Sequence, residues 1–114
     1  MASRKDLKDA VVAARAAQSG WSQATAYNRG QILYRIAEML EGRADQIANE
    51  ISATSGVTPK KAHEQLMSAI DRWVWYAGWS DKLSAVTGAT NPVAGPYYNF
   101  TIPEPLGVVV VTAS

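Results

Sequence analysis

The sequence predicts an α/β protein, with a helical shell over residues 5–86 followed by two strands that begin a sheet. Three observations carry this expectation. Apolar residues recur at steps of three and four from Leu7 to Leu83, the helical period. Glycine, proline and asparagine cluster across 87–96 and mark a loop. Val108-Val109-Val110-Val111, bounded by Gly107 and Thr112, is an unbroken apolar run of the kind found in strands buried on both faces of a parallel sheet. Burying four valine side chains contributes about 6–12 kcal/mol, comparable with the ~5–15 kcal/mol that stabilises a whole domain. Such a strand is expected to be covered, and the chain is expected to be part of something larger.

The elements follow in order. Leu7, Ala10, Val11, Ala14 and Ala17 form one apolar stripe, and Gly20 is expected to end that helix. Ile32, Leu33, Ile36, Ala37 and Leu40 form a second stripe, broken at Gly42. Ile47, Ala48 and Ile51 lie on a third helix that Gly56 ends. Thr58-Pro59 reads as an N-cap followed by proline at the first helical position, where its missing N–H does no harm. The fourth and longest helix runs through Ala62, Leu66, Ile70, Trp73 and Ala77, and extends toward Leu83. After the loop at 87–96, strands are expected over 97–102 and 107–112. Pro103 and Pro105 bend the chain between them.

Composition excludes several classes of function. The 114 residues are 47% hydrophobic and 18% charged, which describes a globular chain rather than a disordered one. Eleven basic residues are interspersed with ten acidic ones, so no basic face for nucleic acid stands out. The absence of cysteine removes disulfides, thiolate metal sites and a cysteine nucleophile from this stretch. Met1 to Asp6 lacks the apolar run of a signal peptide, and no window reaches the ~20 apolar residues of a membrane span. A cytoplasmic location is expected.

Candidate catalytic residues are few. His63 and Glu64 are adjacent on a helix and point about 100° apart, a poor acid–base or metal pair; a solvated or capping histidine is the expected reading. None of the serines stands in a Gly-x-Ser-x-Gly context, and no phosphate-binding glycine motif occurs. In Trp73-Val74-Trp75-Tyr76-Ala77-Gly78-Trp79, residues 73, 76 and 79 are expected to share a face, with Trp75 pointing elsewhere. A helix apolar on more than one face is expected to be buried on more than one side, in a core and in a domain or subunit contact. A base- or ligand-stacking platform is the alternative, with only Arg72 and Lys82 nearby as basic partners.

Four segments together resemble the N-terminal part of the aldehyde dehydrogenase superfamily. Asp6 to Ala17, followed by Trp21, is similar to its first helix. Asn28 to Arg43 resembles the next helix and turn, and Tyr76-Ala77-Gly78-Trp79-Ser80-Asp81-Lys82-Leu83 a segment before the loop. Glu104-Pro105-Leu106-Gly107-Val108-Val109 resembles the turn into the first cofactor-domain strand and is the most specific match. The resemblance covers nearly the whole chain in order.

What the resemblance implies is an incomplete aldehyde dehydrogenase fold over 1–114, its last strand opening a Rossmann-like cofactor-binding sheet. The activity implied is oxidation of an aldehyde to a carboxylic acid through a cysteine thiohemiacetal, with hydride passing to NAD or NADP. The catalytic cysteine and glutamate are not in this sequence, so no catalytic residue is assigned. Thr112, Ala113 and Ser114 stand at the carboxyl end of the implied strand and are the candidate cofactor contacts, through their backbone. They replace an expected Ile-Thr-Pro, and Val110 replaces a common glycine, which marks a divergent member. The family also places a strand-rich segment before the first helix. The partner implied is the remainder of an aldehyde dehydrogenase chain or a homologous subunit, in a homo-oligomer, with no nucleic acid and no membrane. Two other readings stand beside this one: a non-catalytic helical remnant that binds a homologous or partner subunit, and an unrelated helical module with a coincidental strand.

Overall fold

The computed structural model describes residues 3–111, which fall into two compact units, one of Ala26–Thr87 and one drawn from the described residues before 26 and after 87. The described chain is mostly helical, with one two-stranded antiparallel pair.

In the Ala26–Thr87 unit, α2 (Ala26–Glu41), α3 (Ala44–Ser55) and α4 (Pro59–Trp79) surround a small core. The expected breaks at Gly42 and Gly56 are where α2 and α3 end. Gly56 takes φ 69° and donates its N–H to the Ser52 carbonyl at 3.0 Å, a left-handed cap that a Cβ would strain. Thr58 caps α4 as expected, its Oγ1 accepting from the Lys61 N–H at 3.3 Å. Ser52 Oγ donates to the Val57 carbonyl at 2.7 Å and closes the turn between α3 and α4.

The buried side chains of this core are Ala37, Ala48, Ala62, Leu66 and Ile70, with Leu40, Ile47, Ile51, Val57 and Met67 packed around them. Three of the five are alanines, so α4 lies close to its neighbours and Leu66 and Ile70 carry most of the buried volume. Gly30 of α2 approaches the end of α4 closely. A Cβ there would stand 3.1 Å from the Ala77 carbonyl and 3.3 Å from Ser80 Cβ.

The fourth helix is shorter than expected. It stops at Trp79, and Leu83 begins the separate α5 (Leu83–Thr87). Lys82 folds back so that its Nζ donates to the Gly78 carbonyl, meeting one of the carbonyls that a helix end leaves without an N–H.

In the other unit, α1 (Arg4–Gln23) begins with a capping box: Ser3 Oγ accepts from the Asp6 N–H at 3.2 Å, and Asp6 Oδ2 accepts from the Ser3 N–H at 2.7 Å. The backbone and side-chain bonds from Ser3 hold the Asp6 carboxyl below its ordinary range. None of α1's residues is buried; Leu7 is 56% exposed and Trp21 44%.

Gly20 does not end α1, which continues to Gln23. A glycine stops a helix by adopting positive φ, and Gly20 is not among the glycines that do so. Because nothing lies within 4 Å of a Cβ built there, Gly20→Ala is expected to stabilise α1 by about 0.5–1 kcal/mol. Helix content by circular dichroism should rise on heating relative to the parent; a fall would show that Gly20 serves a contact.

The strands depart further from expectation. β1 (Thr90–Asn91) lies inside the expected loop 87–96 and pairs antiparallel with β2 (Asn99–Phe100), Thr90 opposite Phe100 and Asn91 opposite Asn99. The strand expected over 97–102 is thus reduced to its middle. Asn91 Nδ2 donates across the pair to Asn99 Oδ1 at 3.0 Å and to Thr101 Oγ1 at 2.8 Å. Residues 101–111 carry no regular structure, so the strand expected over 107–112 is not formed over its described part, and the described residues show no Rossmann-like sheet. A strand exists only through hydrogen bonds to a neighbour, and no described strand lies beside the valines.

Candidate functional site

Thr112, Ala113 and Ser114, the expected cofactor contacts, lie outside the described residues. The segment leading to them is described to Val111. Gly107 turns with φ 113°, and Leu106, Gly107 and Val108 face Val11, Arg15 and Gln18 of α1 across an open hollow of about 620 Å³. Gln18 Nε2 would stand 3.8 Å from a Cβ at Gly107. Arg15 and the Gln18 amide are the polar side chains of this hollow. Beyond the turn, Val109, Val110 and Val111 are 68%, 67% and 82% exposed.

The remaining polar groups assemble no catalytic centre. His63 is exposed on α4. Among the described residues no group of three His, Asp or Glu side chains is placed to hold a metal, and no buried side-chain polar atom lacks a partner. Tyr27, Gln31, Tyr34, Asp81 and Lys82 line a small polar hollow of about 150 Å³ between α2 and the end of α4, with every one of these side chains exposed. No helix among the described residues is long and apolar enough to cross a membrane.

The aromatic segment of α4 is arranged differently from expectation. Trp79 pairs with Trp75, ring centroids 6.2 Å apart and tilted by 54°, rather than sharing a face with Trp73 and Tyr76. Four residues advance a helix by about 40° beyond a full turn, whereas three fall about 60° short of one, so 75 and 79 are the closer neighbours. Trp73 and Tyr76 instead join Leu33, Ala69 and Arg72 around an apolar hollow of about 360 Å³ between α2 and α4. Sequence reasoning missed this hollow. The steps from Ala69 to Trp73 and from Arg72 to Tyr76 were visible, but the contribution of Leu33 comes from another helix.

The family model described as Aldehyde dehydrogenase family matches residues 1–114. An aldehyde dehydrogenase of Emericella nidulans is 38% identical over 108 residues, covering 94% of this chain and 21% of the relative. Retinal dehydrogenase 2 of Gallus gallus is 38% identical over 111 residues, with 94% and 21% covered. The mitochondrial benzaldehyde dehydrogenase of Antirrhinum majus is 34% identical over 107 residues, with 91% and 20% covered. The chain therefore spans about a fifth of the length of the curated relatives it matches. No solved structure gives a significant match.

Proposed function

The chain belongs to the aldehyde dehydrogenase family, and from that premise we propose that it is the N-terminal helical part of an NAD(P)-dependent oxidoreductase that converts an aldehyde to a carboxylic acid. The observation that supports this most directly is the family match across all of 1–114. In this reading α2, α3 and α4 form part of the helical shell, and the turn 104–107 delivers the valines to a cofactor-binding sheet. The backbone of Thr112, Ala113 and Ser114 would then border the nucleotide.

The described residues do not by themselves fit a dinucleotide. They hold no strand–glycine turn–helix unit to cradle a pyrophosphate, so no step is assigned to them. When bound, NAD or NADP accepts the hydride; the cysteine that forms the thiohemiacetal and the glutamate that activates water belong to the remainder of such an enzyme. The relatives' names carry different aldehydes, retinal and benzaldehyde, which supports the substrate class and leaves the individual substrate open. A cytoplasmic, homo-oligomeric enzyme completes the proposal.

The chain on its own is expected to give no NAD(P)H from aliphatic or aromatic aldehydes above a heat-killed control, because it has no cysteine to form the covalent intermediate. It is also expected to show no saturable change in tryptophan fluorescence on titration with NAD. Turnover by the purified chain would overturn this account. Reading the coding sequence after Ser114 tests the wider proposal. An in-frame glycine-rich turn, glutamate and cysteine would support it; a stop codon would favour the non-catalytic interaction module, for which the exposed α4 aromatics speak.

A further inference from the structure

The hollow of about 360 Å³ between α2 and α4 has the size of a ligand cleft, and the enzymatic reading makes no use of it. Ala69, Arg72, Trp73 and Tyr76 stand at i, i+3, i+4 and i+7 on α4, the spacing that brings side chains onto one helix face. Leu33 of α2 completes the lining. Leu33 and Ala69 are half-buried, whereas Trp73 and Tyr76 are 37% and 65% exposed, so the aromatic rings form its accessible part. Arg72 is the one charged side chain in the lining. It is exposed and forms no salt bridge among the described residues. The positions three and four residues away on α4 are Ser68, Ala69, Trp75 and Tyr76, none of which supplies a counter-charge.

We propose that this hollow binds a flat aromatic carboxylate, its ring against Trp73 and Tyr76 and its carboxylate on the Arg72 guanidinium. Three features select that class. Exposed indole and phenol rings take a further aromatic ring in offset or edge-to-face contact. A single guanidinium with no acid in the lining matches a single negative charge, and its planar fork of N–H donors fits a planar carboxylate through two parallel bonds. A dianionic phosphate would bring twice that charge to one cation, and an ammonium group would meet like charge. Leu33 and Ala69 offer no side-chain polar group, so a ring bearing polar substituents would lose hydration there without replacement. The site and its ligand class rest on these five residues alone and stand independently of the chain's enzymatic assignment.

The test is ligand-observed saturation-transfer NMR on the full chain, with naphthoate, naphthamide and acetate as probes. Naphthoate should bind wild type with a Kd of about 1 mM, the strength expected of a ligand this small in an open site. Naphthamide, the same ring without the charge, should bind about tenfold more weakly, and acetate should give no saturable signal. Arg72→Gln should weaken naphthoate about tenfold and leave naphthamide unchanged, whereas Tyr76→Ala should weaken both. Lys61→Gln removes a basic side chain of α4 outside the lining and should change neither. All three side chains are exposed, so the fold is expected to tolerate each change, with circular dichroism as the check. A wild type that gives no saturable naphthoate signal overturns the proposal. So does an Arg72→Gln variant that binds naphthoate as wild type does, or a Tyr76→Ala variant that binds both aromatic probes unchanged. A Lys61→Gln variant that loses as much as Arg72→Gln overturns it too, because the attraction would then be one of general charge rather than of this site.

Discussion

Leu66→Ala is expected to abolish or nearly abolish the cooperative unfolding transition of the Ala26–Thr87 unit. Leu66 is 4% exposed at the centre of a core whose other buried members are Ala37, Ala48, Ala62 and Ile70. Truncating a buried leucine to alanine costs about 2–5 kcal/mol, through lost transfer energy and the cavity left behind. A body of roughly 60 residues has only about 3–9 kcal/mol to lose at ~0.05–0.15 kcal/mol per residue. Three of the other four buried members are alanines, too small to fill the space a leucine leaves. The midpoint measured by thermal circular dichroism should therefore fall by more than about 10 °C, or the transition should disappear. Leu7→Ala, on the exposed face of α1, serves as the control and should change it little. A Leu66→Ala midpoint within about 3 °C of the parent would mean that this core does not hold the helices together.

Deleting Gly107–Ser114 is expected to convert a chain prone to open-ended association into a soluble one with its helices intact. Val109, Val110 and Val111 are two-thirds or more exposed. They combine β-branched side chains, absence of charge and absence of proline, the composition that templates strand addition. None of them belongs to the core around Leu66, so helical circular dichroism should survive the deletion. Size exclusion should show loss of the high-mass material, and the single variant Val110→Lys should act in the same direction by placing a charge in the valine run. If the intact chain stays a sharp monomer at high concentration, the valine run is not an open template and the argument from its exposure is lost.

What the sequence determined by itself was the helical part of the fold. The stripes through Ile32–Leu40, Ile47–Ile51 and Ala62–Ala77, the stops at Gly42 and Gly56 and the Thr58-Pro59 start are all local signals. A helix closes its hydrogen bonds within four residues, so such signals suffice. The family, too, was legible from short segments in a fixed order. Tertiary structure decided the rest. It set β1 against β2 and left Val108–Val111 unpaired, because a strand is defined by partners that the local sequence does not name. It drew Leu33 from one helix to Ala69, Trp73 and Tyr76 on another, which no single stripe records. Gly20 shows the same limit within a helix: a glycine permits a stop without requiring one, and the turn continued to Gln23. Local hydrogen bonding writes its signature into adjacent residues, whereas pairing and burial depend on what arrives from elsewhere in the chain or from another molecule.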